Sequence, residues 1–78
     1  MLKIALKLAA FRLRDPAQRA ALNKAADSAS IRTKVRSKLI ELEEARTGKK
    51  LGAIGDGELI ALLLKYLPQI LALIMQLV

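Results

Sequence analysis

The pattern of hydrophobic and polar positions divides this chain into four segments. Residues 1–15 mix apolar and basic side chains, residues 16–47 are rich in alanine and charge, residues 48–57 hold all four glycines, and residues 58–78 are almost entirely apolar. Apolar residues that recur at steps of three and four are typical of amphipathic helices. Aromatic residues are confined to Phe11 and Tyr66, so a sheet has little support. We therefore predict an all-α protein of two to four helices.

The first segment, residues 1–15, fits a strand or a helix by its pattern alone. Leucine and isoleucine occupy the even positions from Leu2 to Leu8, as they would in a strand. On a helix, one apolar face forms instead from Leu2, Leu6, Ala9 and Leu13. The alanine content favours the helix. We predict an N-terminal amphipathic helix.

The central segment, residues 16–47, carries clear helix boundaries. Asp15 suits the N-cap and Pro16 the first helical position, while Gly48 suits a left-handed C-cap. Its apolar seam consists of Ile31, Val35, Leu39 and Leu42. The pattern predicts a long central basic helix, which residues 27–30 either interrupt or recap. The glycines of residues 48–57 then predict a hinge or a tight loop.

The final segment, residues 58–78, is long and apolar enough to raise the question of what surrounds it. About 20 mostly apolar residues can span the hydrocarbon core of a bilayer. We predict one helix with a kink at Pro68, since proline removes an amide donor and crowds the carbonyl of the residue four positions earlier. The polar side chains fall on one narrow stripe, whose gaps are filled by alanine: Glu58, Ala61, Lys65, Gln69, Ala72 and Gln76. Such a stripe indicates a helix with hydrophobic material on most sides, either lipid or protein.

Length and composition limit how the chain can be stabilised and what chemistry it can perform. A chain of 78 residues without cysteine or histidine has no disulfide and none of the usual zinc ligands. We therefore expect no large core of its own, and stabilisation by assembly or by a membrane. Its serines have no histidine to activate them. The sequence predicts no enzyme, no cofactor, no metal, no small-molecule substrate, and no disulfide-stabilised secreted domain.

The charge is strongly polarised along the chain. The net charge is +7, and thirteen of the fourteen basic residues precede Gly52. The candidate residues for contact with an anionic surface are Arg32, Lys34, Arg36, Lys38, Lys49 and Lys50. They could meet the phosphates of nucleic acid or anionic lipid head groups, or they could simply keep the chain soluble.

These observations lead to three functional hypotheses. The first is a non-enzymatic helical subunit of a larger assembly, such as a minor phage or virion component, which buries its final helix among partner chains in a homo- or hetero-oligomer. The second is a small membrane-anchored or pore-forming protein of the holin or toxin type. The third is a sequence-independent nucleic-acid-binding protein. The candidate assembly or membrane residues are Leu59, Leu63, Lys65, Pro68, Gln69, Leu71 and Gln76.

Overall fold

The structure is a computed structural model that describes residues 2–78, and it contains five helices. These are α1 (Leu2–Phe11), α2 (Pro16–Ala26), α3 (Ala29–Thr47), α4 (Asp56–Lys65) and α5 (Leu67–Leu77). The all-α class is confirmed. The predicted number of two to four helices is slightly too low, because the central and final segments are each divided into two helices.

The central segment is divided by a second helix cap at Ser28. α2 begins as predicted: the Asp15 carboxylate accepts a hydrogen bond of 2.9 Å from the amide of Ala17, and Pro16 is the first helical residue. Ser28 has an extended backbone, and its hydroxyl accepts a hydrogen bond of 3.2 Å from the amide of Ile31. A capped amide at this point starts a new helix. Both alternatives for residues 27–30 hold in the structure: α2 ends at Ala26, and Ser28 caps the start of α3.

The final segment is broken at Tyr66, and the two resulting helices are bent by 88°. Pro68 lies in the first turn of α5, where its missing amide costs nothing. The sequence predicts a kink at this proline, and the structure shows a complete break. The break turns α5 back onto α2 and α3. Within residues 2–78, no single helix is long and apolar enough to cross a membrane, although α4 and α5 pass that test together as a bent pair.

The core is larger than the sequence predicts, because the break lets α5 cover the other helices. Within residues 2–78, seventeen apolar residues, drawn from all five helices and from Tyr66, are buried in one cluster. The largest fully buried side chains are Leu6, Leu22, Leu39, Leu63, Ile70, Ile74 and Val35. The central seam is confirmed: Val35 and Leu39 are fully buried, and Ile31 and Leu42 are half-buried against them. The expectation that the chain lacks a large core was therefore wrong.

The glycine-containing loop between α3 and α4 is held to the rest of the chain. Gly48 adopts the predicted left-handed conformation, with φ of 70°, and its amide donates to the carbonyl of Glu44 at 2.8 Å. The Glu44 carboxylate also accepts a hydrogen bond of 2.8 Å from the amide of Leu51. Leu51 and Ile54 pack, half-buried, against the core. Gly48 thus ends α3, and the Glu44 side chain anchors the loop that leads to α4.

Candidate functional site

α5 carries more apolar surface than the chain itself covers. Eight of its eleven residues are apolar, but only Ile70 and Ile74 are buried. At about 100° per residue, Leu67, Leu71 and Met75 lie on one side of this buried pair, and Leu73 and Leu77 lie on the other. We call these five residues the α5 flanks; Met75 is exposed and the four leucines are half-buried.

The polar stripe of the final segment faces solvent in both helices. All six of its members are exposed: Glu58, Ala61, Lys65, Gln69, Ala72 and Gln76. The six residues that share a stripe by spacing are thus all accessible, although the helix is broken. The stripe separates the two α5 flanks on the side away from the core.

The residues predicted for assembly or membrane contact fall into two groups. Leu59 and Leu63 are buried in the chain's own core, because α4 packs on α1 and α3. In this fold their role is internal packing, and neither presents a surface to a partner. The others remain accessible: Leu71 is half-buried, and Lys65, Pro68, Gln69 and Gln76 are exposed.

A second apolar surface lies on α1. Ile4, Leu8 and Phe11 are spaced by four and three residues and are 58%, 60% and 75% exposed. We call them the α1 ridge. The single apolar face predicted for residues 1–15 does not include these three residues. The sign of a second face was present in the run from Leu2 to Leu8, where every even position is apolar.

The predicted basic face of α3 is divided between two edges of the helix. Arg32 and Arg36 line an open groove of about 500 Å³, and Lys3 from α1 completes its basic lining. Lys34 and Lys38 lie on the other edge, and Lys38 forms an ion pair of 3.3 Å with Glu41. Lys49 and Lys50 are exposed in the loop after α3.

The basic groove has a defined wall and a net positive charge. Its lining residues are Leu2, Lys3, Ala29, Arg32, Thr33, Arg36, Asp56 and Leu59, so three cations face one carboxylate. Arg32 is oriented by a hydrogen bond from its guanidinium to the carbonyl of Ala26 at the end of α2. Anions are attracted to such a groove, and the attraction weakens as salt screens it.

A polar cluster around Glu43 ties α3 to the break between α4 and α5. The Glu43 carboxylate accepts hydrogen bonds from the Tyr66 hydroxyl (2.7 Å), Arg46 Nε (2.9 Å) and Lys65 Nζ (3.2 Å). The bond from Arg46, followed by the one from Tyr66, lowers the pKa of Glu43 from 4.5 to about 2. In the same cluster, the carboxylate raises the pKa of Arg46. The donors all favour an ionised carboxylate. We therefore infer that this cluster stabilises the fold.

We expect this cluster to make stability depend on pH in the acid range. Because the pKa of Glu43 is lower in the folded chain, its contribution is complete above pH 4.5 and is lost as the pH falls toward 2. Asp27, whose pKa is lowered by a hydrogen bond from Lys7, acts in the same direction. Glu43→Gln should therefore lower the Tm at pH 7 and reduce, without abolishing, the fall in Tm between pH 4.5 and 2.

Thermal melts followed by circular dichroism at several pH values measure this effect. Glu41→Gln is the matched control, since the exposed Glu41 pairs with Lys38 at the surface. Identical pH profiles for wild type and Glu43→Gln would show that the cluster contributes nothing to stability.

The described residues assemble no metal site, and comparison with known proteins supplies no relative. Within residues 2–78, no three aspartate or glutamate side chains come together in a way that could hold a metal ion. The chain matches no protein-family model, and no curated protein or solved structure is significantly similar to it. The α5 flanks, the α1 ridge and the basic groove are therefore the candidate binding surfaces of the described chain.

Proposed function

We propose that this protein is a non-enzymatic helical subunit of a larger assembly, such as a minor component of a phage virion, and that a partner chain packs on α5. The observation that supports this proposal is the contrast on α5 between eight apolar residues and only two buried ones. The α5 flanks are the surface that a partner would cover. This proposal keeps the assembly role expected from the sequence and moves it from the whole final segment to one helix.

The energetics of a small domain favour such packing. A domain of this size buries a modest fraction of its unfolded surface, so binding a partner adds a large share of its total stability. Each half-buried leucine on α5 that becomes fully covered contributes about 25 cal/mol for every Å² removed from water. The exposed glutamines, Gln69 and Gln76, restrict a partner helix to the two flanks.

The first partner to test is a second copy of the chain. Two double variants examine the flanks separately: Leu71→Gln with Met75→Gln on one side, and Leu73→Gln with Leu77→Gln on the other. Neither pair includes the buried Ile70 or Ile74. We expect wild type to self-associate at micromolar concentration, and the variant on the contacting flank to weaken association by about tenfold or more, since two lost apolar contacts exceed 1.4 kcal/mol.

Sedimentation velocity measures the association, and circular dichroism verifies that each variant remains folded. Gln69→Ala with Gln76→Ala is the matched control, because these exposed residues lie on the polar stripe between the flanks. Two results would argue against α5 as an interface between copies of this chain. One is a wild-type chain that stays monomeric, and the other is an association constant that neither double variant changes.

A further inference from the structure

The α1 ridge is an apolar surface that no other part of the described chain covers. The opposite side of α1 packs on α2 and α4 through Leu2, Ala5, Leu6, Ala9 and Ala10. Ile4, Leu8 and Phe11 therefore project outward on successive turns. Among residues 2–78, Phe11 is the most exposed large hydrophobic residue.

Basic residues border the α1 ridge along one side and at its C-terminal end. At about 100° per residue, Lys3 and Lys7 lie along one side of the ridge, and Arg12 follows Phe11 in the turn that ends α1. Lys3 and Lys7 approach the Asp27 carboxylate at 3.6 and 3.3 Å, but their side chains remain 55% and 44% exposed. Residues 1–14 contain no acidic side chain. The ridge is therefore an apolar strip set in a positively charged surface.

We propose that α1 docks this protein on the surface of an anionic bilayer. Ile4, Leu8 and Phe11 enter the boundary between head groups and acyl chains, while Lys3, Lys7 and Arg12 contact the head-group phosphates. A helix lying in this position needs an apolar strip with cations beside it, which is what α1 presents. Each cation near an anionic surface strengthens the attraction to it. This docking goes beyond the packing of a partner chain on α5 and uses a different helix.

Charge complementarity selects a bilayer over a second copy of the chain as the occupant. In a symmetric contact between two α1 ridges, the cations on one copy would face those on the other, and like charges repel. An anionic bilayer provides an apolar acyl-chain region for the ridge and negatively charged head groups for the cations beside it. Lys3 also lines the basic groove with Arg32 and Arg36, so the cationic surface continues from α1 onto α3.

A fluorescent probe on the ridge tests the proposal directly, because the chain has no tryptophan. Phe11→Trp places a single tryptophan at the end of the ridge, and Leu64→Trp places one at an exposed leucine of α4 as the matched control. We expect the emission of Phe11→Trp to shift to shorter wavelength with mixed phosphatidylcholine and phosphatidylglycerol vesicles. The shift should be much smaller with phosphatidylcholine alone and should be reversed by salt. Leu64→Trp should not respond.

Two further variants in the Phe11→Trp background separate the apolar and charged contributions. Leu8→Gln should weaken vesicle affinity by about tenfold, and Lys7→Gln with Arg12→Gln by a similar factor. The doubly substituted α5 flank variants should still bind vesicles, so this test can succeed or fail independently of the assembly proposal. Circular dichroism without vesicles verifies that each variant is folded.

Three results would overturn the proposal. The first is an unchanged Phe11→Trp emission with anionic vesicles. The second is a shift that appears on raising the protein concentration alone, which would assign the ridge to self-association. The third is a response to DNA or RNA without a response to vesicles, which would assign the basic surroundings of the ridge to nucleic acid.

Discussion

A chain that ends at Gly57 is expected to lose cooperative folding. Residues 58–78 supply six of the seventeen buried residues: Leu59, Leu62, Leu63, Tyr66, Ile70 and Ile74. The buried residues of α1 and α2 are mostly alanines, which bury much less surface. Without the large side chains of α4 and α5, burial no longer offsets the conformational entropy of the remaining chain.

Urea and thermal unfolding followed by circular dichroism test this expectation. The truncated chain should show weak helicity and a gradual loss of signal, without a sigmoidal transition. A chain that lacks only residues 76–78 is the matched control, because it retains Ile70 and Ile74 and should still unfold cooperatively. A cooperative, monomeric transition in the chain ending at Gly57 would show that α1–α3 form a sufficient core.

The same substitution at two neighbouring leucines of α4 should change the free energy of unfolding by very different amounts. Leu63 is fully buried, whereas Leu64 is 42% exposed. Leu63→Arg places a charge in a core that, within residues 2–78, contains no buried polar or charged residue to pair with it. Such substitutions cost about 4 kcal/mol or more, which is a large part of the stability of a domain this small. We expect Leu63→Arg to be largely unfolded.

Leu64→Arg is the matched control, and its free energy of unfolding should stay within about 0.5 kcal/mol of the wild-type value, as for ordinary surface substitutions. Urea titrations of both variants measure the difference. Equal destabilisation by the two substitutions would contradict the orientation of α4 in this structure, in which Leu63 faces the core and Leu64 faces solvent. Equal tolerance would mean that Leu63 does not lie in a core within one chain.

The features that the sequence predicts correctly depend on neighbours only a few residues away. Asp15 and Pro16 start α2, and Gly48 ends α3, because a cap needs only the local backbone and one side chain. The buried seam at Val35 and Leu39 follows from helical spacing alone. The spacing of the polar stripe follows from the same helical periodicity, but its exposure to solvent does not.

The features that the sequence does not predict depend on contacts between distant segments. Pro68 indicates that the final helix bends, but the 88° turn that returns α5 to α2 and α3 is set by packing. Tyr66 marks the break and donates to Glu43, 23 residues earlier in the chain. No local pattern reveals that contact. Residues 27–30 fit either an interruption or a recap, so the sequence alone does not decide how the central segment is divided at Ser28.

The basic residues illustrate the same limit for the candidate site. Spacings of two residues from Arg32 to Lys38 spread the charges around α3 in any helical fold, and this spread is visible in the sequence. Arg32, Arg36 and Lys3 line the same groove only because α1 lies beside α3 and α4. The sequence does not show that arrangement. The apolar run of residues 58–78 predicts assembly or membrane contact for Leu59 and Leu63, because such a run does not show which side the chain itself will cover.

In this structure one chain folds around its own core, and we propose that it associates through surfaces outside that core. Helicity measured by circular dichroism across a dilution series, with sedimentation velocity on the same samples, tests it most directly. We predict that dilution dissociates the assembly while the helical signal per residue stays constant, because Leu63, Ile70 and Ile74 remain buried within each chain. Loss of helicity in parallel with dissociation would contradict the claim, since the core would then exist only between chains.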